Sequence, residues 1–410
     1  TIIMNILFLT MSSGFANIEA RGIYTDLMRK FRNERHEVYI IHPNERRSGK
    51  PTEVKVEGGI HCLGVRTLNV TKTNVIEKGV GQLLLESQFK RALKKHFGNV
   101  RFDVILYSTP PITFNSVICY AKKVSGGKAM TYLLLKDIFP QNAVDMGMLS
   151  KTGVKSVLYK MFRSKEKELY RISDFIGCMS PANVRYVLEH NPEVHADKVE
   201  IAPNSVDLAS LNLPQKGETS AIRMKYGLPV DKPIFIYGGN LGIPQGIPFL
   251  IECLEANANR EDCHFVVVGS GTYYQRLADW YKAYAPKAVT VMKGLPKEDY
   301  DQLVRACQVG LIFLDYRFTI PNFPSRLLSY LEYKMPVIAC TDPNCDTGTI
   351  AEENGFGMYA PSNEVTAFTA AVERMLGSDI KEMGERGYEF LKANYLVENT
   401  YGAIMKHVAD

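Results

Sequence analysis

Three strand-like segments in the second half of the sequence run into glycine. They end in Tyr237-Gly238-Gly239-Asn240-Leu241-Gly242, in Val268-Gly269-Ser270-Gly271 and in Lys293-Gly294-Leu295-Pro296; Gln245-Gly246 follows the first. Turns without side chains let a ligand approach the backbone, and their amides can hold an anion ahead of a helix. Gly239, Asn240 and Gln245 are expected beside such an anion. Gly269, Gly271, Gly294 and Leu295 are expected to frame a flat slot where backbone groups read a base. Downstream, Phe323-Pro324-Ser325-Arg326 precedes a helix-like run from Leu327 to Glu332. Proline and serine suit a helix start. The partial positive charge of the Ser325 helix opening and the forked cation of Arg326 together suit a diphosphate. Each signal has a plain alternative: glycines in structural turns, and Arg326 as an ordinary surface arginine.

In the first half, Ser12-Ser13-Gly14 follows one strand-like run and Lys136-Asp137 follows another. Asp137 precedes Pro140 closely enough to cap a helix instead.

Short apolar runs alternate with amphipathic segments from end to end, the βα rhythm of a parallel sheet. Strands are expected at Asn5–Thr10, Glu37–Ile41, Val104–Ser108, Ala129–Leu135, Phe175–Met179 and Lys198–Ala202, with helices at Ala20–Asn33, Gly81–His96 and Val154–Ser173. After Pro203-Asn204-Ser205-Val206-Asp207 and a polar, loop-like stretch, Leu208–Lys232, the rhythm restarts. Strands follow at Ile234–Gly238, Phe265–Gly269, Val289–Lys293, Gly310–Leu314, Pro336–Cys340 and near Phe356–Tyr359. Helices follow at Ile247–Ala256, Tyr274–Ala285, Lys297–Ala306, Ser325–Tyr333, Glu364–Leu376 and Ile380–Lys392. The fold class is α/β with two Rossmann-like domains, residues 1–206 and 207–392, facing a central cleft.

The 410 residues suit two domains, and 46% hydrophobic with 23% charged residues excludes disordered and fibrous classes. No apolar run reaches the roughly 20 residues a membrane span needs, and the N-terminal segment reads as a buried first strand. The eight cysteines form no Cys-x-x-Cys pair, so buried, reduced thiols of a cytoplasmic chain are expected. No metal-ligand cluster stands out. The net charge of +5 conceals an asymmetry: residues 1–205 carry 30 Lys and Arg against 19 Asp and Glu, and residues 206–410 carry 19 against 25. A basic half of this kind can face an anionic partner. Within it, residues 151–171 place Val154, Val157, Leu158, Met161 and Phe162 on one helical stripe beside Lys155, Lys160, Arg163, Lys165 and Lys167. Such a helix can lie on an anionic membrane or pack on its own domain.

The strings GGNLGIPQG, FVVVGSG, MKGLP and PSRLLSYLEYKMPVIAC, in that order and spacing, resemble the C-terminal domain of family 4 retaining glycosyltransferases, most of all the bacterial capsule and O-antigen type. LLKDIFP at 134–140, SDFIGCMS at 173–180 and PNSVD at 203–207 extend the resemblance. It implies the GT-B fold, with an acceptor-binding first domain, a nucleotide-sugar-binding second domain, and a C-terminal helix (393–410) returning to the first. It also implies a metal-independent hexosyltransferase without a resident cofactor. The nucleotide-sugar, UDP-linked by family habit with GDP left open, is a substrate. The acceptor is a glycan or a polyprenyl-diphosphate-linked sugar at the inner face of the plasma membrane; no nucleic acid is a partner. Ser13, Gly14 and Lys136 then contact the acceptor and Asp137 serves as a catalytic or sugar-binding carboxylate.

The sequence departs from the pattern at four points. Asn240 stands where the family commonly has arginine, Gln245 where it has lysine, and Pro321 and Ser329 where it has two glutamates. Glu332, one turn beyond Ser329, is a substitute for the second glutamate, which grips the ribose, and Arg326 matches a common cation. In a retaining transfer of this type the donor phosphate oxygen takes the acceptor proton, so no protein nucleophile is required. Two alternatives remain: a degenerate nucleotide-binding partner subunit and a sugar-nucleotide 2-epimerase.

Overall fold

The computed structural model describes residues 2–210 and 218–408. The chain divides into two compact units, 1–207 with 395–410, and 208–394.

In unit 1 the elements in chain order are β1 (Asn5–Leu9), α1 (Ile23–Asn33), β2 (Glu37–Glu45), β3 (Glu53–Glu57), β4 (Ile60–Thr67), α2 (Val75–His96), β5 (Val104–Ser108), α3 (Asn115–Val124), β6 (Met130–Leu135), α4 (Gln141–Asp145), α5 (Lys155–Ile172), β7 (Phe175–Cys178), α6 (Pro181–His190) and β8 (Val199–Ile201). The sheet order is β3-β4-β2-β1-β5-β6-β7-β8. All its pairings are parallel except that of β3 with β4. Central strands are apolar on both faces because helices cover both. Leu7, Leu9, Ile105, Tyr107 and Leu133 enter one core, and Ile6, Phe8, Val104, Leu106 and Tyr132 enter the other. The order reverses between β1 and β5, and such a reversal opens a ligand crevice at the carboxyl ends of the strands.

Unit 2 follows as α7 (Glu218–Lys225), β9 (Ile234–Asn240), α8 (Ile247–Ala256), β10 (His264–Ser270), α9 (Tyr274–Tyr284), β11 (Val289–Lys293), α10 (Lys297–Arg305), β12 (Val309–Phe313), α11 (Arg326–Glu332), β13 (Val337–Thr341), α12 (Thr347–Glu353), β14 (Gly357–Pro361), α13 (Val365–Leu376) and α14 (Ile380–Asn394). Its sheet, ordered β11-β10-β9-β12-β13-β14, is parallel throughout and reverses between β9 and β12. The last helix, α15 (Val397–Met405), belongs to unit 1. There Val206 pairs with Leu396 in a bridge, and Thr400 Oγ1 donates to Pro203 O at 3.0 Å.

Several expectations need correction. No strand is expected between Glu37–Ile41 and Val104–Ser108, yet β3 and β4 form a hairpin there; β3 exposes Val54 and Val56, so its alternation carries no buried face, whereas β4 is largely buried. Helices α3 and α6 fill gaps between expected strands, and α12 is a helix beyond those expected. The polar stretch 208–232 contains α7, anchored by Arg223, which is only 4% exposed and donates to Ala306 O, Pro229 O and Lys232 O; its segment 211–217 lies outside the described residues.

The element that presents Arg326 is pinned by Tyr330. Its ring lies where a Cβ on Gly310 would sit, 2.3 Å away, and its hydroxyl meets Ile236 O at 3.1 Å and Leu311 O at 3.0 Å. Tyr330→Phe therefore removes the hydroxyl that both carbonyls share. We expect the variant to lose about 1–3 kcal/mol of stability, read as a lower urea midpoint; an unchanged midpoint removes this anchoring role.

Candidate functional site

In unit 2 the ends of β9, β10 and β11 lie side by side, Gly238 opposite Val268 and Gly269 opposite Lys293. The glycines there have a purpose different from the one expected. A Cβ on Gly238 would meet the Tyr300 hydroxyl at 2.0 Å, and one on Gly239, whose φ is 123°, would meet the Arg326 guanidinium at 1.8 Å. A Cβ on Gly269 would strike Gly239 O at 2.0 Å, and one on Gly271 the Leu241 carbonyl at 2.6 Å. These four glycines make room for the protein's own groups. Gly294 differs, since its nearest neighbour, Ser270, is 3.7 Å from an added Cβ.

Arg326 is thereby drawn onto the sheet edge. Its guanidinium carbon stands 5.3 Å from the Tyr237 ring centroid, and Tyr300 and Tyr330 also act on it electrostatically. Among the described residues no carboxylate forms an ion pair with it. Cation–π contact is worth about 0.5–2 kcal/mol and leaves the guanidinium's charge unneutralised, so its N–H fork can still engage an anion. Burial raises the Tyr237 phenol to about 12. Tyr237 donates to Asn240 O at 2.6 Å.

The helix opening itself supplies less than expected. α11 has seven residues, and the amides of Leu327 and Leu328 already bond Pro324 O and Ser325 O at 3.1 Å. The positive charge at this point is therefore chiefly that of Arg326. Ser325 and Ser329 are exposed, whereas Glu332 is 4% exposed and sits in the interior, which places its carboxylate poorly for gripping a ribose. Asn240 Nδ2 donates to Gln245 Oε1 at 3.1 Å, and Gly242 N donates to the same oxygen. The two amides that occupy the expected cation positions thus hold each other. Beside them, Gly269, Ser270, Gly271, Lys293, Gly294 and Leu295 border an open cavity of about 450 Å3, closed on one side by Tyr274; Lys293 Nζ lies 5.7 Å from the Tyr274 ring centroid.

In unit 1, Ser13 and Gly14 are exposed beyond the carboxyl end of β1, where Ser12 N donates to Thr10 Oγ1 at 3.0 Å. Beyond β6, Thr109 Oγ1 accepts from Lys136 N at 2.9 Å and from Asp137 N at 3.3 Å. The two side chains then diverge. Lys136 Nζ lies 3.7 Å from Met179 Sδ, and burial lowers its ammonium to about 7. Asp137 Oδ1 is buried without a hydrogen-bond partner, and burial raises the carboxyl to about 6. Tyr24 and Lys78 stand close enough to couple to its charge. The helix that follows has Pro140 at its cap position with no side-chain cap bond, so Asp137 is not spent on capping. A lowered lysine and a raised aspartate at one strand end are hallmarks of a working site. Tyr237, Tyr300 and Thr109 were not singled out from the sequence; only Tyr237, inside a glycine string, carried any signal.

On the segment expected to be an amphipathic stripe, Val154 is 93%, Val157 72%, Leu158 43% and Met161 38% exposed. Phe162 leaves the stripe: it packs into the core, edge-on to Phe139 at 4.9 Å. Among the described residues no helix is long and apolar enough to cross a membrane, and no group of three or more His, Cys, Asp or Glu is arranged to hold a metal.

The profile described as "Glycosyl transferases group 1" matches residues 218–390. The chain is 23% identical over 338 residues to "Probable glycosyltransferase WbjE" of Pseudomonas aeruginosa, covering 79% of this chain and 78% of that one. It is also 23% identical over 258 residues to "Putative colanic acid biosynthesis glycosyl transferase WcaI" of Escherichia coli K12, covering 62% and 61%. Among solved structures it is similar to sucrose-phosphate synthase from Thermosynechococcus elongatus, with 15% identity, a TM-score of 0.75 and 99% of each chain covered. Anabaena Alr3699/HepE, solved in complex with UDP and glucose, aligns at 14% identity and a TM-score of 0.66, again over 99% of each chain.

Proposed function

From a chain that is a GT-B glycosyltransferase, with a group 1 transferase domain over residues 218–390, we propose a retaining hexosyl or amino-hexosyl transfer from a UDP-sugar to a lipid-linked glycan in bacterial surface polysaccharide synthesis. The observation that carries this reading is the Arg326 guanidinium, held over Gly239 by tyrosines and paired with no carboxylate among the described residues. In the proposed reaction its fork takes the donor diphosphate, and the open cavity beside Gly294 takes the base. As the bond from the anomeric carbon to the β-phosphate oxygen breaks, negative charge grows on the diphosphate, and Arg326 stabilises it. The acceptor hydroxyl attacks the anomeric carbon from the face that the phosphate leaves, and its proton passes to the departing phosphate oxygen. Asp137 holds a sugar hydroxyl in place. Its unpartnered Oδ1 is an acceptor without a donor, and the raised carboxyl is half-ionised near pH 6. The UDP complex of HepE and the names of WbjE and WcaI support donor and setting. Incubation with a panel of sugar nucleotides and a polyprenyl-diphosphate-linked acceptor tests it; no product from any donor would sink it.

Peripheral binding to the inner face of the plasma membrane belongs to the same proposal. Val154, Val157, Leu158 and Met161 form an exposed apolar strip with Lys155 and Lys160, both exposed, alongside. Apolar insertion and lipid anions reinforce each other on such a helix. We expect Val154→Asp with Val157→Asp to cut binding to phosphatidylglycerol vesicles at least tenfold in a flotation assay, and wild-type binding by the double variant would exclude the strip.

The mutual hydrogen bond of Asn240 and Gln245 favours a second reading, a partner subunit that holds nucleotide without turnover. Calorimetric UDP binding with transfer only in the presence of an active homologue would select it.

A further inference from the structure

Toward the edge of the unit 1 sheet, Thr52, β4 and the C-terminal half of α2 border an open groove of about 280 Å3. Four of its lining side chains are basic: Arg66 from β4, and Arg91, Lys95 and His96 from α2. No aspartate or glutamate lines it, and among the described residues none of the four basic side chains forms an ion pair. Cations in the last turn of a helix favourably meet its dipole, which accounts for Lys95 and His96. It does not account for Arg66, on a strand, or for Arg91, more than a turn further back. The same groove is lined by Gln88, whose Oε1 is buried with no hydrogen-bond partner. A buried carbonyl oxygen without a donor costs free energy until one arrives.

The two observations ask for different things from one ligand. The guanidinium groups need an anion, and Gln88 Oε1 needs an O–H or N–H donor. The volume, near the roughly 300 Å3 lower end of ligand pockets, matches about one sugar ring. We propose that this groove binds an acidic saccharide unit of the hexuronate class. Its carboxylate lies between Arg66 and Arg91, and a ring hydroxyl donates to Gln88 Oε1. Its lining includes neither Asp137 nor Arg326, so the proposed role is recognition of an acidic glycan and not the transfer step.

The test uses the full chain at low ionic strength and three probes: methyl β-D-glucuronide, methyl β-D-glucoside and inorganic phosphate, each followed by saturation-transfer NMR and calorimetry. The glucuronide should bind and the neutral glucoside should not. Arg91→Gln should weaken glucuronide binding roughly tenfold, the loss of one charge-assisted pair. Gln88→Leu should weaken the glucuronide severalfold while leaving phosphate as it was, because in the proposed pose a ring hydroxyl faces Gln88 Oε1 while the anion is seated between Arg66 and Arg91. Glucuronide binding no tighter than glucoside overturns the proposal, and so does indifference to Arg91→Gln. Phosphate binding with a glucuronide indifferent to Gln88→Leu also overturns it, as an adventitious ion only. UDP affinity should remain at the wild-type value in both variants, so a failure here leaves the Arg326 reading intact.

Discussion

Replacing Arg326 by alanine lowers UDP affinity by about 1.5–3 kcal/mol, the contribution of a hydrogen bond to a charged group, while the protein keeps its fold. The expectation rests on the company the residue keeps. Tyr237, Tyr300 and the backbone of Gly239 hold the guanidinium in place, and none of them neutralises it. With Asn240 and Gln245 uncharged and bonded to each other, no second cation at those positions shares the load. Arg326→Lys should recover only part of the loss, since an ammonium keeps the charge but not the fork. Calorimetry with UDP, at low and high salt, checks both variants. Wild-type affinity in a folded Arg326→Ala protein removes the residue from the site.

Asp137→Asn should reduce transfer by about 10²-fold to 10³-fold, as for removal of one positioned electrostatic partner, with UDP affinity unchanged because UDP carries no sugar. In the wild type, activity should rise through a limb near pH 6 as the carboxyl ionises, and the limb should vanish in the variant. Stability should move the other way. Burial raises the folded carboxyl from 3.8 to about 6, so its contribution to folding is fully present below pH 4 and is lost as pH rises through 6. At pH 7 the neutral asparagine is therefore expected to be no less stable than the wild type. Full transfer activity with asparagine, or a pH limb that survives, would exclude the assigned role.

The strands of both sheets were legible because a parallel strand buried on two faces writes itself as an unbroken apolar run; Ile234–Asn240 and His264–Ser270 are cases. The edge strand Glu53–Glu57 was illegible for the converse reason, since it has no buried face; its partner Ile60–Thr67, though buried, is broken by His61, Gly64 and Arg66 and does not read as an unbroken apolar run. The position of Arg326 at a strand-end cluster could be anticipated from local strings. What the glycines are for could not: Gly238 answers to Tyr300, sixty-two residues later, and Gly239 to Arg326. The string is the same whether the space admits a ligand or a tyrosine. Nor does sequence report desolvation. Lys136 and Asp137 are adjacent charged residues on paper, and only the packing around β6 moves one to about 7 and the other to about 6.

The bridge between Val206 and Leu396 has an architectural consequence. The polypeptide departs unit 1 at Asp207 and resumes at Tyr395, and Val206 N donates to Tyr395 O at 2.9 Å. Both severed ends would thus already be neighbours, held by main-chain bonds internal to unit 1. Everything from 208 to 394 behaves as a cassette mounted on one fixed socket. Swapping it for another such cassette leaves the socket's own bonds untouched, so recombination at this one place can pair a new second unit with the existing first one.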